Sequence, residues 1–290
     1  MRAGAGMKIE SVEISDDRAR LVFSHVEPHI LNAFRRALLV DVPKMAIDHV
    51  EFHLGSISDE DGRVFESTTP LFDEIIAHRL GLVPVPTDGK ALLEGHLKRQ
   101  EDCDCEGMGC PNCQIMYSLN KRGPCTVYSG DLEPLGDDSL RPKDPKIPIV
   151  KLTEDEGILV YATAHLGTGS ENARWQAVHA AGYSPIPEIT IDQDRVKDPE
   201  RVAGNCPRDV FTVSKGKLKA SRPEDCILCR TCEHEDLGAG NAVRVNADTG
   251  RYKFRFETDG SLDPATAIIY ALEKLVDKYS GFQEALAELK

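Results

Sequence analysis

The sequence lacks any long apolar run, and this absence bears first on the class of protein. No stretch reaches the roughly 20 residues that a membrane-spanning helix needs, and the N-terminus "MRAGAGMKIE" has no hydrophobic signal core. We therefore expect a cytoplasmic protein without membrane contact, in which residues 1–6 form a disordered leader. At 290 residues, with 41% hydrophobic and 29% charged side chains, the chain can form two or three globular domains.

Positive charge is also scarce. The chain has 35 Lys and Arg residues against 48 Asp and Glu residues, a formal net charge of −13. Sequence-independent binding to DNA or RNA needs clustered cations that displace counterions from the phosphates. We therefore expect little direct contact with nucleic acid.

The usual signatures of an active site are missing as well. There is no Walker loop, no G-x-S-x-G elbow and no tight group of aspartates suited to two-metal phosphoryl transfer. The stretch "GTGSENARW" (167–175) contains Gly-x-Gly but lacks the strand–helix context of a dinucleotide site. His25, His165 and His179 have no ligand or triad partner that the sequence can identify. We predict no catalytic residue in this chain.

Cysteine, in contrast, is abundant and clustered. The chain has nine cysteines, and since a cytoplasm keeps thiols reduced, their grouping favours metal binding over disulfides. In "EDCILCRTCEHED" (224–236), Cys226, Cys229 and Cys232 repeat at C-x₂-C-x₂-C, a spacing suited to an iron–sulfur cluster. Asp236 stands where the fourth cysteine of such a run is usually found.

A fourth thiolate is nevertheless available earlier in the chain. In two-cluster ferredoxins the fourth ligand of each cluster is a Cys-Pro that ends the other half-motif, and Cys206-Pro207 fits this description. The three positions before it that would bind the second cluster hold Val196, Pro199 and Val202. The sequence therefore predicts one complete site. Its ligands are Cys206, Cys226, Cys229 and Cys232.

This site predicts a single [4Fe–4S] cluster, or a [3Fe–4S] cluster if one iron is lost, in a ferredoxin-like domain over 193–242. Zinc and no metal are the alternatives; zinc is less favoured because zinc ribbons usually use two C-x₂-C knuckles. Between the cysteines, "DVFTVSKGKLKAS" predicts a hairpin that turns at Lys215-Gly216.

A second cysteine group occupies the polar loop "CDCEGMGCPNC". Two close pairs can converge on one tetrahedral ion, and the two glycines between them allow a tight turn. We predict structural zinc, with an unmetallated loop or a second iron–sulfur cluster as the alternatives. The four ligands would be Cys103, Cys105, Cys110 and Cys113. Cys125 is most simply a small buried residue.

The helices are predicted by their apolar stripes and end signals. The apolar stripe of "EPHILNAFRRALLVDVP" predicts a helix over 28–41. Arg35 and Arg36 lie outside that stripe, so they belong either to a solvated face or to a contact surface for a partner. Residues 71–85 predict a helix that ends at Gly81. The clearest helix starts at Asp263-Pro264 and carries a heptad-like seam, typical of either a core-facing helix or an intersubunit pair. The seam contains Ile268, Leu272, Leu275, Tyr279, Phe282, Leu286 and Leu289, and Gly281 is a candidate kink.

Several segments together resemble the archaeal D subunit of DNA-directed RNA polymerase, the counterpart of the third-largest eukaryotic polymerase II subunit and of the bacterial α N-terminal domain. They are "ILNAFRRALLVDVPKMAIDHVEF" (30–52), "LFDEIIAHRLGLVPV" (71–85), "ENARWQAVHAAGY" (171–183) and the C-terminal helix. The resemblance covers nearly all of 7–290. Many members of this family carry a ferredoxin-like insert, and the eukaryotic counterpart has a zinc loop similar to 103–113.

The resemblance implies an α+β fold in three parts. These are an α-subunit-type dimerisation domain (7–53 plus 184–192 plus 243–290), an inserted β-rich domain (54–183) and the ferredoxin-like domain (193–242). It implies a scaffold that pairs with subunit L, recruits small subunits N and P, and docks the large catalytic subunits, where the nucleotidyltransferase chemistry resides. The implied interface residues are Phe34, Arg35, Arg36, Leu38, Ile268, Leu272, Leu275, Tyr279 and Phe282.

Two other functions compete with this one. An electron-transfer iron–sulfur subunit of an oxidoreductase would explain 193–242 but not the remaining segments. A free-standing zinc-dependent nucleic-acid binder is disfavoured by the net charge of −13.

Overall fold

The computed structural model describes residues 7–58, 64–234 and 242–289, where the chain forms a mixed α/β structure. The predicted leader (1–6) and Asp236 lie outside the described residues. The helices are α1 (Pro28–Val40), α2 (Asp73–Gly81), α3 (Gly89–Leu93), α4 (Pro199–Gly204) and α5 (Pro264–Glu288). The strands are β1 (Lys8–Ile14), β2 (Arg18–Ser24), β3 (Pro43–Phe52), β4 (Ser56–Ser58), β5 (Val64–Glu66), β6 (Gln114–Arg122), β7 (Cys125–Tyr128), β8 (Glu133–Pro134), β9 (Pro148–Leu152), β10 (Gly157–Thr168), β11 (Val178–Ile191), β12 (Phe211–Ser214), β13 (Lys217–Ala220) and β14 (Val243–Thr258).

One compact unit comprises the described residues of 1–13, 20–31 and 182–255. Its main sheet has the strand order β1-β2-β14-β11, in which β1 and β2 are neighbours. Side chains alternate between buried and accessible positions along β14, as expected for a sheet with one packed face. Phe254 packs edge-on against Phe23 and parallel to Tyr183, with ring centroids 6.4 Å apart in both pairs.

The cysteine-bearing insert of this unit has a small core of its own. Strands β12 and β13 pair antiparallel and turn at Lys215 and Gly216, whose φ angles of 50° and 73° are left-handed. The predicted hairpin is thereby confirmed. Val202, at a position where a second cluster would need a cysteine, is fully buried in this core. The core contains Val202, Val210, Phe211, Leu218, Cys232, Val243 and Val245.

The other unit comprises the described residues of 14–19, 32–181 and 256–290. Its main sheet has the order β3-β10-β6-β8, with β10 antiparallel to both β3 and β6. Ile76 and Leu80 of α2 are fully buried in the core that this sheet contributes to. Helix α2 ends at Gly81, as predicted.

The two long predicted helices are confirmed, and their local signals explain where they begin. Asp263 caps α5, accepting a hydrogen bond from the backbone N–H of Thr266 at 2.9 Å, and Pro264 is the first helical residue. The apolar stripe of α1 is buried at Leu31, Phe34, Ala37 and Leu38. No helix in the described ranges is long and apolar enough to cross a membrane.

The units do not follow the predicted domain boundaries, because α1 and β14 each contribute residues to both units. The three predicted domains stay a prediction.

Candidate metal centres and the exposed helix face

The four cysteines of residues 103–113 come together at one point. All four Sγ atoms lie within 4.8 Å of one another. The Sγ atoms of Cys103 and Cys110 are 3.5 Å apart, and those of Cys105 and Cys113 are 3.6 Å apart. Four thiolates that bind one zinc at about 2.3 Å stand about 3.8 Å from each other. The arrangement is compatible with a metal centre, and its spacing suits a single ion.

The loop reaches this geometry through left-handed backbone at its glycines. Gly107 and Gly109 have φ angles of 81° and 83°, which residues with a Cβ rarely adopt. At the end of the loop the backbone N–H of Cys110 donates to Sγ of Cys113 at 3.3 Å, and the N–H of Cys113 donates to the carbonyl of Cys110 at 3.0 Å. This tight turn aims both sulfurs at the same point.

The thiols of this loop differ in acidity. A hydrogen bond with Cys103 lowers the pKa of Cys105 to about 7, whereas burial raises the pKa of Cys113 to about 12. Metal binding needs all four as thiolates and therefore releases protons, including that of the buried thiol.

The four predicted iron–sulfur ligands line one small pocket; they are Cys206, Cys226, Cys229 and Cys232. Cys206 follows α4, and the other three follow β13. Leu228 and Arg230 have left-handed φ angles of 58° and 59°. The chain therefore turns sharply between Cys226 and Cys229, and again directly after Cys229. Among the described residues, only the loop at 103–113 has its ligand atoms at single-ion spacing. A cluster needs wider spacing, because each thiolate binds a different iron.

Hydrogen bonds to sulfur support a ligand role at this second site. The backbone N–H of Val210 donates to Sγ of Cys206, and the N–H of Leu228 donates to Sγ of Cys226, each at 3.4 Å. The hydroxyl of Thr231 donates to Sγ of Cys229 at 3.4 Å and lowers the pKa of that thiol. Such bonds favour thiolates, the form that binds iron.

Burial opposes ionisation at two of these thiols. It raises the pKa of Cys226, and it raises the pKa of Cys232 to about 12. A bound metal would have to offset this cost. The ligand assignment at both cysteine sites stays a prediction.

The predicted interface residues of α5 are accessible. Leu272, Tyr279 and Phe282 are 38%, 58% and 63% exposed, and Ile268 and Leu275 are half-buried. Every described residue from Val276 to the end of the helix is exposed. Large apolar side chains therefore line one side of a helix that nothing in the described part of this chain covers.

The predicted interface residues of α1 divide into two groups. Phe34 and Leu38 are 4% and 0% exposed, so within this chain they are core residues and do not face solvent. Arg36 is exposed, whereas Arg35 is half-buried and donates from Nε and Nη2 to Oδ1 of Asn32 at 3.2 and 2.9 Å. An interface role for the two apolar residues would be indirect, through the position of the helix.

The structure also contains an open cleft of about 590 Å³ that the sequence did not reveal. It lies beside the cysteine loop at 103–113. His165, which had no partner identifiable from sequence, contacts Asp48 there, with Nδ1 and Oδ1 2.6 Å apart. The two residues are 117 positions apart, and no local pattern could have connected them. Only the pairing of β3 with β10 does so.

Comparison with known proteins gives a consistent result along the chain. Residues 20–279 match the family model of the RNA polymerase Rpb3/Rpb11 dimerisation domain. The chain is 35% identical over 280 residues to DNA-directed RNA polymerase subunit Rpo3 of Picrophilus torridus, covering 97% of this chain and 100% of the relative. Proteins of the same name from Thermoplasma volcanium and Methanosphaera stadtmanae are each 36% identical, covering 97% and 94% of this chain and 100% and 96% of the relatives.

Proposed function

The chain belongs to the RNA polymerase Rpb3/Rpb11 dimerisation-domain family, and from this membership we propose that it is a non-catalytic assembly subunit of DNA-directed RNA polymerase. Its relatives named Rpo3 match it from end to end, so the proposal concerns the whole chain and not one module. The electron-transfer alternative gains no support, because these relatives are polymerase subunits. The nucleotidyltransferase activity belongs to the complex, with its chemistry in the large subunits.

The observation that carries the scaffold role is the exposed apolar side of α5. Val276, Tyr279, Phe282 and Leu286 recur at steps of three and four along the solvent-exposed half of the helix. A monomeric soluble protein rarely leaves such a contiguous apolar surface in water. We assign this stripe to a heterodimer with subunit L, in which two helices pack through facing seams.

Further contacts of the scaffold would follow from that heterodimer. The D–L pair would offer a platform to small subunits N and P and to the large catalytic subunits. Arg36, exposed on α1, and the neighbouring Arg35 would face the second-largest subunit. These partner assignments rest on the family resemblance of the segment 30–52.

The cysteine sites would serve as structural centres. Cys103, Cys105, Cys110 and Cys113 fit one zinc ion, which would cross-link a loop with few buried residues. Cys206, Cys226, Cys229 and Cys232 fit one [4Fe–4S] cluster, or a [3Fe–4S] cluster if an iron is lost. A cluster at that position would tie the segment after β13 to the end of α4.

Anaerobic co-expression with subunit L tests partner and metals together. We expect a one-to-one complex that contains one zinc, about four iron atoms and a matching amount of sulfide per chain. A monodisperse monomer with no affinity for L would overturn the scaffold proposal. Zinc without iron, or iron without zinc, would overturn one metal assignment and leave the scaffold role intact.

A further inference from the structure

The pocket of the predicted iron–sulfur ligands is surrounded by positive charge. Arg208 and Arg230 line it together with the four cysteines, and no aspartate or glutamate of the described residues does so. This local excess runs against the formal net charge of −13 that the whole chain carries. An iron–sulfur cluster bound by four thiolates is negatively charged, and it gains a further negative charge on reduction. The surroundings of the pocket therefore suit such an occupant.

Lys253 adds a third cation, from the main sheet of the same compact unit. Its Nζ donates to the carbonyl of Glu224 at 2.6 Å, and the two residues are 29 positions apart in the sequence. Glu224 lies in the single 3₁₀ turn Pro223–Asp225, which leads directly into Cys226. The lysine therefore holds the turn that presents the first cysteine of the C-x₂-C-x₂-C run.

The strand that carries Lys253 also holds the other end of the cysteine run. In β14 the backbone N–H of Val245 donates to Oε1 of Glu233 at 2.6 Å. Glu233 directly follows Cys232. Both ends of the segment that carries the last three ligands are thus attached to β14. A cluster bound there would be supported by the main sheet as well as by the cysteine-bearing insert.

The charge of Lys253 lies mainly among other cations. The side chain is half-buried, and Arg255 lies on the same accessible face of β14. Burial, together with the positive charges of Arg20, Arg255 and Arg208, lowers the pKa of this lysine, whereas Asp225 opposes them. An ammonium group in such surroundings is stabilised by a negative charge nearby.

Lys253 is also close enough to a predicted ligand for its charge to act there. The positive charge opposes the rise in the pKa of Cys226 that burial causes. A lysine that only supported the backbone would need no ligand beside it. Here the ammonium group faces the cysteine run, so a bound cluster would supply the negative charge that these cations lack.

We propose that Lys253 is a positioning residue for the iron–sulfur cluster, which holds the turn before Cys226 and raises the reduction potential of the cluster through its positive charge. The inference rests on the proposed cluster and not on the scaffold role. A reduced cluster is more negative than an oxidised one, so a nearby cation stabilises the reduced form more. Removal of that cation should lower the reduction potential.

Lys253→Met tests the role of the charge, because it keeps most of the side-chain length and removes the ammonium group. In the anaerobically purified D–L complex, we expect reduction of the cluster to become about tenfold less favourable, a fall of about 59 mV in midpoint potential. A redox titration followed by electron paramagnetic resonance of the cluster measures this shift. The variant should also release iron to a chelator at least about threefold faster, since the turn before Cys226 loses its hydrogen bond.

Two further variants separate charge from general disturbance. Lys253→Arg keeps both the positive charge and the hydrogen-bond donors, so its reduction equilibrium should stay within about twofold of the parent. Lys217→Met is the matched control, because it makes the same substitution at an exposed lysine of the insert that does not line the pocket. We expect the parent potential and the parent rate of iron release from this control.

Equal potentials in Lys253→Met and the parent would reduce the lysine to a structural support and overturn the proposal. An equal fall in Lys217→Met would do so too, because any lost cation would then have the same effect. If Lys253→Met binds no iron, Lys253→Gln, a neutral donor, replaces it in the titration with the same expectation; loss of iron from that variant as well would overturn the effect on the potential.

The parent complex separates this inference from the proposed function. A parent without iron would overturn the cluster and the role of Lys253 together, while intact pairing with subunit L would leave the scaffold role standing. Iron in the parent with no response to Lys253→Met would overturn the role of the lysine alone.

Discussion

Lys44 and Asp259 form a buried ion pair between positions 215 apart in the sequence. The Lys44 side chain is 4% exposed, and Nζ contacts Oδ2 of the aspartate. The other oxygen, Oδ1, accepts hydrogen bonds from the backbone N–H and the hydroxyl of Ser261 at 3.0 and 2.5 Å. Because Lys44 is the second residue of β3 and Asp259 lies shortly before the cap of α5, the pair connects the start of that strand to the segment that leads into the long helix.

Removal of one partner of this pair should destabilise the chain strongly. Lys44→Met leaves the mostly buried carboxylate of Asp259 without its counter-charge, and we expect a loss of about 3 kcal/mol in the free energy of unfolding. Chemical denaturation measures this loss. Adding Asp259→Asn to the same chain should restore part of the stability. A single variant as stable as the parent would show that the pair contributes little.

A methyl group added at Gly167 should disturb the packing of the neighbouring Trp175. A Cβ built there lies 2.5 Å from Cδ2 and Cε2 of the Trp175 indole. Gly167→Ala should displace the ring, change its fluorescence and cost about 1–3 kcal/mol in unfolding free energy. Gly281→Ala is the control, because a Cβ there meets nothing within 4 Å and should stabilise α5 by up to about 1 kcal/mol. Unchanged fluorescence in the first variant would contradict the packing.

The elements with local signals were predictable from sequence. Asp263 and Pro264 begin α5 because a capping carboxylate and a missing N–H suit the first turn of any helix. Lys215-Gly216 turns a hairpin because of its own backbone preferences. In both cases the determinant lies within a few residues of the feature.

Features that depend on distant partners were not predictable. The stripe of α1 showed that Phe34 and Leu38 would be buried, but periodicity cannot distinguish burial inside the chain from burial under another subunit. The Asp48–His165 contact depends on a bulge in strand pairing, which the sequence of neither strand specifies alone. The ion pair of Lys44 and Asp259 was not predictable either, because it joins positions 215 apart in the sequence.

The two cysteine sites should lose their metals independently. Cys113→Ser removes a buried ligand of the loop at 103–113, and we expect loss of zinc with iron retained. Cys229→Ser should produce the reverse, with loss of iron and sulfide but full zinc content. Metal analysis of the anaerobically purified D–L complex measures both. Loss of both metals in either variant would contradict two separate centres.

The exposed apolar side of α5 should matter for pairing and not for folding. Phe282→Asp places a charge in the middle of the stripe, so we expect affinity for subunit L to fall at least about 30-fold. Because the side chain is 63% exposed, the unfolding free energy of the free chain should change by less than about 0.5 kcal/mol. Asp277→Ala, also exposed on α5 but outside the stripe, should pair normally. Equal affinities for both variants would place the interface elsewhere.

The acidity of the loop cysteines predicts how the metal-free chain reacts with an alkylating reagent. Thiolates react and thiols do not, so Cys105, with a pKa of about 7, should be labelled faster as the pH rises from about 6 to 8. Cys113, whose pKa burial raises to about 12, remains a thiol over that range and should react slowly. Mass spectrometry of iodoacetamide-treated chain measures both rates, with Cys125 as a half-buried reference outside the loop. Zinc should protect both loop cysteines while Cys125 keeps its rate. Equal labelling of the two loop thiols at neutral pH would show that the loop loses this arrangement without its metal.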